Sequence, residues 1–145
     1  LREICFNNLP NVLAEYGVVQ AIEELVNRSK SDELNIVFNY SNPMLPIYKS
    51  LEVAIYRIVQ EFVNNSIKHS EAKEITISLM NAKDDLRLSL YDNGKGFIVK
   101  DLMIYKGQGL KNIESRVKSL NGDIEFKSIL NEGTEFNISF PLNLN

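Results

Sequence analysis

The feature that most constrains the fold is a long amphipathic segment in the middle of the chain, Leu51 to His69. Its apolar residues recur at helical spacing and form one broad stripe, which predicts a long helix with one buried face. Ser50 is its predicted N-cap, and Glu52 suits the positive first turn. The stripe consists of Leu51, Ala54, Ile55, Ile58, Val59, Phe62, Val63 and Ile67.

The segments on either side predict shorter helices and strands. Alternating apolar residues indicate strands, and glycine or asparagine punctuation indicates turns and helix ends. The predicted elements are a helix from Val18 that fades over Asn27–Lys30, a strand Ile36–Tyr40, a loop Ser41–Ser50, the long helix, strands Glu74–Asn81 and Leu86–Asp92, a helix Leu110–Leu120 stopped by Asn121 and Gly122, and strands Asp123–Ile129 and Thr134–Leu142. Because the strands arrive in adjacent hairpins, the order predicts an α+β fold. It is a two-layer α/β sandwich, with a mixed, mostly antiparallel sheet and helices packed on one face.

Length and composition exclude several classes of function. A chain of 145 residues, 44% of them apolar, suggests one domain with a real core. A net charge of -3 argues against a nucleic-acid binder that relies on a broad basic field. The chain has no apolar run long enough to span a membrane, so we expect no membrane contact by this domain. With Cys5 as the only cysteine and His69 as the only histidine, an internal disulfide is impossible and a Cys/His zinc site is not expected.

The first of three polar clusters lies on the second half of the long helix. Glu61 and Asn65 are one helical turn apart and share a face, and Lys68 follows close to Asn65. Carboxylate and amide oxygens suit magnesium, and a lysine suits phosphate charge, so the cluster can serve a magnesium–phosphate group. The same pattern also fits a solvated polar helix face, which is the ordinary case in globular proteins.

The second cluster, Asp92-Asn93-Gly94-Lys95-Gly96-Phe97, follows a predicted strand. Its glycines let a ligand approach the backbone closely, and Asp92 at the strand end can accept a hydrogen bond from a base amino group. A tight turn made of ordinary turn residues explains the segment equally well.

The third cluster, Gly107-Gln108-Gly109-Leu110-Lys111-Asn112, begins a predicted helix. Exposed backbone N–H groups at a helix start form an anion site. The segment is neither a Walker loop nor a dinucleotide-binding glycine fingerprint, because the spacings differ. Alone it is a weak signal, since glycine before a helix is common.

The only histidine, His69, ends the predicted long helix. It can be a phosphoacceptor, or a structural or nucleotide-proximal residue at the helix end. The second hypothesis is favoured because the same helix already carries the metal candidates and because cationic groups suit helix C-termini.

Together, in this order and spacing, the clusters resemble the motifs of the GHKL ATPase superfamily, which includes histidine kinases and gyrase B. The likeness is closest to sensor histidine kinases of the subgroup paired with LuxR-type response regulators. Tyr56–Glu61 with Asn65 and Lys68–Ser70 resembles the N box, and the second and third clusters, the third with Arg116, resemble the G1 and G2 boxes. Gly133, Thr134 and Phe136 resemble the final Gly-Thr motif. Pro10, Leu13 and Gly17-Val18 resemble the segment that links the dimerisation helices to the catalytic domain.

The resemblance implies ATP and Mg²⁺ as cofactors and assigns a role to each matching residue. Asn65 would ligate magnesium, and Glu61 would sit beside the metal or polarise the attacking group. The remaining implied contacts are Lys68 and His69 to the phosphates, Asp92 to the adenine amino group, Gly94 and Gly96 to the adenine pocket, Gly107, Gly109 and Leu110 to the phosphates at the lid, and Thr134 to adenine through water. The short segment between Gly96 and Gly107 would be the lid.

The resemblance also implies how the chain is organised and what it works with. Residues 1–17 would be the tail of a dimerisation helix and a linker, and residues 18–145 the ATP-binding catalytic domain. It would transfer the γ-phosphoryl group of Mg·ATP to a histidine on an upstream dimerisation domain of the same protein, because no candidate acceptor precedes Leu51. A LuxR-type response regulator is the expected further partner, in a homodimeric full-length protein. The domain would be cytoplasmic, whether or not the full protein is anchored in the inner membrane. The alternatives are an anti-sigma-type serine kinase of the same superfamily, a non-catalytic nucleotide-binding module, and a plain interaction domain.

Overall fold

The computed structural model describes residues 9–96 and 107–142. These residues form four α-helices, one π-helical turn and five strands. In chain order they are α1 Asn11–Tyr16, α2 Val18–Ser29, β1 Asn35–Tyr40, α3 Lys49–Asn65, the π-helical turn Ser66–Ser70, β2 Glu74–Asn81, β3 Asp85–Asp92, α4 Gly107–Ser119, β4 Asp123–Ile129 and β5 Gly133–Pro141. None of the described helices is both long and apolar enough to cross a membrane.

The five strands form one mixed sheet in the order β1-β2-β3-β5-β4. Only β1 and β2 run parallel, and the other neighbours are antiparallel. The hairpins β2–β3 and β4–β5 lie side by side, with β3 paired to β5. The connection between the parallel strands β1 and β2 contains α3. The predicted mixed, mostly antiparallel sheet is confirmed.

One face of the sheet is covered by helices. Alternate residues of the central strands point toward them and are buried, such as Leu88 on β3 and Ile138 on β5, while the residues between are more exposed and mostly polar. The helices bury the matching stripes, with Ile22 on α2, Ile58 on α3 and Val117 on α4 fully covered. Each such aliphatic side chain contributes about 1.5–3 kcal/mol on transfer from water. The two-layer α/β sandwich is therefore the observed architecture.

The long helix begins at Lys49, two residues earlier than predicted. Its N-cap is Tyr48, whose carbonyl accepts hydrogen bonds from the N–H groups of Leu51 and Glu52, so Ser50 is in the first turn and the predicted Ser50 cap is wrong. Glu52 is in the first turn as predicted. The Oε2 atom of Glu52 also accepts a hydrogen bond from Val18 N at 2.9 Å and so caps the neighbouring helix α2.

The same helix ends in a way that the apolar pattern did not predict. After Asn65 the chain widens into the π-helical turn and then leaves the helix at Glu71, whose φ is 56°. Such turns interrupt α-helices mostly in short pieces and often at functional sites.

Two further helix ends are informative. The helix α1 was not predicted, and its Leu13 belongs to the buried core, while Gly17 with φ +95° separates it from α2.

Residues 1–8 of the proposed dimerisation-helix tail lie outside the described residues, as does the lid segment 97–106. Helix α4 begins at Gly107 rather than Leu110, and the predicted stop is confirmed by Asn121 in a left-handed conformation and by a hydrogen bond from Gly122 N to Val117 O.

Candidate functional site

Asp92 is a charged residue in a position that otherwise belongs to the core. It ends β3 on the inward face, where Leu86, Leu88 and Leu90 occupy the preceding inward positions, and its exposed fraction is 0%. Its Oδ2 accepts a hydrogen bond from Ser66 Oγ at 2.7 Å, and its Oδ1 accepts one from Gly94 N at 2.9 Å. A buried carboxylate requires such donors, because desolvation without them is costly.

Thr134 lies directly opposite Asp92 on the neighbouring strand. The two residues are partners across the β3–β5 pair, and Thr134 is buried on the same inward face. Its hydroxyl lies 3.2 Å from the hydroxyl of Ser128 on β4. Two polar side chains thus stand side by side at one end of an otherwise apolar sheet face.

The loop after Asp92 is tied to the π-helical turn by close contacts. A side chain at Gly94 would overlap the backbone carbonyl and Cβ of Ser70, so only glycine fits there without a shift. Lys95 N donates to Ser70 O at 2.7 Å, and the side-chain oxygen of Asn93 accepts from the N–H groups of Lys73 and Glu74, both at 2.9 Å.

The same loop is tied on its other side to the β4–β5 turn. Asn131 N donates to Lys95 O, and Gly96 lies against the carbonyl of Ile129 with φ +62°. The loop 93–96 therefore joins the end of the long helix to the last hairpin.

An apolar cleft opens beside this polar end, between α3, α4 and the last two strands. Phe62 and Phe136 meet edge to face with ring centroids 5.8 Å apart, and Phe126 packs on Phe136 at 4.9 Å. The cleft is lined by Phe62, Asn65, Leu110, Ile113, Phe126, Thr134 and Phe136. The cleft is narrow, with a volume of about 10 Å³. Its apolar wall with two polar groups, Asn65 and Thr134, has the composition of a small-molecule site.

Some of the predicted site residues line this cleft and others do not. Asn65, Leu110 and Thr134 line it. Glu61 is half-buried one turn before Asn65, while Lys68 and His69 are exposed on the π-helical turn and are not among the lining residues.

The predicted glycines lie around the same region of the fold. Gly94 and Gly96 belong to the loop that touches Ser70 and Ile129, and Gly107 and Gly109 form the first turn of α4. Asp92 is paired with Thr134 across β3 and β5, has no exposed surface, and is not among the residues that line the cleft.

Sequence reasoning assigned no role to Ser66 and Ser70 or to part of the cleft wall. Ser66 and Ser70 are buried, and Ser70 Oγ donates to Ser66 O at 2.7 Å. Their spacing at a helix end, next to Asn65, was the signal available. Ile113 and Phe126 are apolar residues whose role in a cleft, rather than in the core, depends on the tertiary packing.

Possible cation ligands in the described part of the chain are sparse. No group of three or more histidine, cysteine, aspartate or glutamate side chains there could hold a metal ion by itself.

The arrangement of five strands and covering helices is shared with solved histidine kinases. The histidine kinase domain of the Erythrobacter litoralis EL346 blue-light activated histidine kinase superposes with a TM-score of 0.69 at 16% identity, over 87% of this chain and 59% of that one. The Acinetobacter baumannii histidine kinase AdeS gives a TM-score of 0.65 at 20% identity, over 92% of this chain and 64% of that one. The fold is thus that of histidine kinase domains.

Sequence comparison shows the family to which the chain belongs. Residues 50–144 match the model described as histidine kinase-, DNA gyrase B-, and HSP90-like ATPase, and the chain belongs to that family. It is 30% identical over 144 residues to the sensor protein VraS of Staphylococcus saprophyticus, and 30% identical over 144 residues to that of Staphylococcus aureus strain COL. Each match covers 99% of this chain, which spans only 41% of the relative's length. The predicted superfamily and its nucleotide-binding fold are confirmed.

Proposed function

We propose that this chain is the ATP-binding catalytic domain of a two-component sensor histidine kinase. It transfers the γ-phosphoryl group of Mg·ATP to a histidine on a dimerisation domain of the same protein. The observation that carries the proposal is the meeting of three elements at one cleft. Asn65 from α3 lies in its wall, the first turn of α4 borders it, and the Asp92–Thr134 pair closes the end of the sheet beside it.

Adenine is a base that suits Asp92. A carboxylate only accepts hydrogen bonds, so it suits a base that presents an amino group, as adenine does. Ser66 and Gly94 use one acceptor position on each oxygen, which leaves a second position on each. Because Asp92 has no exposed surface, the cleft must widen when the base binds. Thr134 holds the base through water in this proposal.

The phosphate end of the site would lie toward the end of α3 and the start of α4. Asn65 offers a side-chain oxygen, and half-buried Glu61 offers a carboxylate one turn earlier. Mg²⁺ binds nucleotides through one or two protein oxygens with phosphates and waters as the other ligands, so this donor set fits it. When bound, the ion neutralises phosphate charge.

Positively charged and N–H groups complete the phosphate end. Lys68 and His69 are exposed one turn beyond Asn65, where they can reach phosphates from the π-helical turn. The N–H groups of Gly107 and Gly109 lie in the first turn of α4 and point toward its N-terminal side. Leu110 covers the cleft next to them.

The chemistry that these residues must support is mainly positioning. Phosphoryl transfer proceeds through a loose transition state, and the protein supplies alignment and charge stabilisation rather than a covalent intermediate. Asp92 and Thr134 would hold the base, Asn65 would ligate the metal ion that accompanies the phosphates, and Glu61 would sit beside the metal or polarise the attacking imidazole. His69 contacts phosphate in this scheme and is not the acceptor.

The partners follow from the same proposal. The acceptor histidine belongs to a dimerisation domain, with residues 1–17 as the tail of its helix and the linker and residues 18–145 as the catalytic domain. A LuxR-type response regulator receives the phosphoryl group in turn, and the full-length protein is a homodimer. The domain is cytoplasmic and touches neither nucleic acid nor membrane.

Isothermal titration with a non-hydrolysable ATP analogue and magnesium tests this function. We expect micromolar-range binding by the wild type, and a sharp loss in Asn65→Ala and in Asp92→Asn, which preserves side-chain shape. Asn39→Ala and Asp123→Ala are matched controls, because both residues are exposed on edge strands and lie outside the cleft. A folded wild type that binds no nucleotide at millimolar concentration would contradict the proposal.

A second measurement separates the kinase from its two nearest alternatives. Joined to its dimerisation domain, the chain should label a histidine, whose phosphoryl group is lost in acid and stable in base. An acid-stable label would indicate a serine kinase, and binding without any transfer would indicate a nucleotide-binding module.

A further inference from the structure

Ser66 is a buried residue whose polar atoms all have hydrogen-bond partners. It is the first residue of the π-helical turn and is 1% exposed. Its hydroxyl donates to Asp92 Oδ2 at 2.7 Å, although the two residues are 26 positions apart in the chain. Its carbonyl accepts from Ser70 Oγ at 2.7 Å, and its N–H bonds to the carbonyls of Phe62 and Val63. The hydroxyl is therefore held in one direction, toward Asp92.

The hydrogen bond from Ser66 determines how Asp92 faces the rest of the site. Gly94 N holds Oδ1 and Ser66 Oγ holds Oδ2, so the carboxylate plane is fixed from both sides. Hydrogen bonds to a charged group are short and about twice as strong as neutral ones. Without the hydroxyl, the carboxylate would be held on one oxygen only and could turn about its last torsion angle, which is broad in the absence of contacts.

Ser66 also follows Asn65 directly in the chain. Asn65 lies in the wall of the cleft, whereas Ser66 contacts the buried carboxylate of Asp92, the strand partner of Thr134. Two adjacent residues of one helix end thus face the two ends of the proposed nucleotide site. The hydrogen bond from the Ser70 hydroxyl to the Ser66 carbonyl closes the turn that carries Ser66.

We propose that Ser66 is a positioning residue for recognition of the 6-amino group of the purine. It acts through Asp92, because it orients that carboxylate toward the base. Asn65, the preceding residue at the same end of α3, faces the proposed metal site. This inference rests on the proposed function, because it assumes that Asp92 binds the base. It goes further by assigning base recognition to a hydroxyl that does not line the cleft.

A purely structural role for Ser66 makes a different prediction. If the hydroxyl only satisfies a buried charge, its removal destabilises the fold and weakens every nucleotide alike. If it orients Asp92 toward the base, its removal weakens only nucleotides that carry the 6-amino group.

The experiment compares ATP with purine riboside 5′-triphosphate, which lacks the 6-amino group, by titration in the presence of magnesium. For Ser66→Ala we expect about tenfold weaker ATP binding, as for the loss of a hydrogen bond to a charged group. Binding of the purine riboside nucleotide should stay within about twofold of the wild type, the difference expected when no such bond is lost. Asp92→Asn and the double variant with Ser66→Ala should bind ATP equally weakly, because the serine acts through the aspartate.

Controls keep the test decisive. Ser89→Ala removes a half-buried serine hydroxyl that bonds to Asn137 on the other face of the sheet, and it should leave both affinities unchanged. If Ser66→Ala shows no cooperative thermal transition, Ser66→Cys replaces it in the test. Cysteine is similar in size to serine but is a weaker hydrogen-bond donor, so this variant should also bind ATP more weakly and leave binding of the purine riboside nucleotide unchanged. An equal loss for both nucleotides, or unchanged ATP binding by a folded variant, overturns the inference and leaves the proposed function standing. A wild type that binds neither nucleotide overturns both.

Discussion

Replacing Gly94 by alanine should destabilise the domain, and the structure indicates why. The added Cβ would overlap the backbone carbonyl and the Cβ of Ser70, which is itself fully buried. Gly94 lies outside the left-handed conformations recorded for Gly17, Gly96 and Gly133. The penalty is therefore steric and does not come from backbone strain.

The expected magnitude has two parts. Forcing a methyl group into a closely packed contact costs about 1–3 kcal/mol. The loop can relieve the overlap only by moving away from Ser70, which stretches the bond from Lys95 N to Ser70 O, now 2.7 Å, and costs about 1 kcal/mol more. A free energy of unfolding lowered by roughly 2–4 kcal/mol lowers the melting temperature of a domain of this size by roughly 5–15 °C.

Thermal unfolding followed by circular dichroism, with urea titration for the free energy, measures this change. Lys95→Ala is the matched control, because its exposed side chain belongs to the same loop and the substitution adds no atom. It should stay within about 0.5 kcal/mol of the wild type, as surface substitutions usually do. A Gly94→Ala domain as stable as the control would show that the contact with Ser70 is not tight, and the steric argument would fail.

Two further changes test hydrogen bonds at other places in the fold. Asn93→Ala removes the acceptor for the N–H groups of Lys73 and Glu74, and urea titration should show a loss of about 1–3 kcal/mol. Asn93→Asp, which keeps the oxygen, should lose much less, and equal losses for the two would contradict the assignment. Glu52→Ala removes the carboxylate that caps Val18 N across two helices, and a loss of about 0.5–2 kcal/mol is expected in the same assay. Glu52→Gln should retain most of the stability because an amide oxygen still accepts, and a change below the error for Glu52→Ala would refute the capping role.

The sheet could be predicted from the sequence because its signals are local. Alternation at Glu74–Asn81 gives the strand directly, and the observed bounds are the same. The wrong Ser50 cap shows the limit of such local signals. Serine is a residue type that fits a cap, but the first hydrogen bonds of the helix are accepted by Tyr48 O instead. A π-helical turn of five residues is too short to alter a periodic pattern, so Ser66–Ser70 could only be seen in the structure.

The candidate site was reached by resemblance more than by physical reasoning. Each motif alone allowed an ordinary structural explanation, and the order of the motifs along the chain favoured a nucleotide site. The bond from Ser66 to Asp92 could not be foreseen, because it joins a helix end to a strand end that only the completed sheet brings together. The apolar cleft wall was equally hidden, since Ile113 and Phe126 look like core residues in sequence.

The pairing of Asp92 with Thr134 also has a consequence for biosynthesis. Each β-hairpin forms between near neighbours, but the pair Asp92–Thr134 lies on the seam between the hairpins and joins residues far apart in the chain. Contacts of that kind form late, because a long loop must close first. Thr134 belongs to β5, the last of the described strands, so a ribosome must release residues through this strand before the proposed base end of the site can form. A nascent or truncated chain that stops before β5 has the helix with Asn65 but lacks the Asp92–Thr134 pair, and we expect it to be unable to bind a nucleotide in the proposed way.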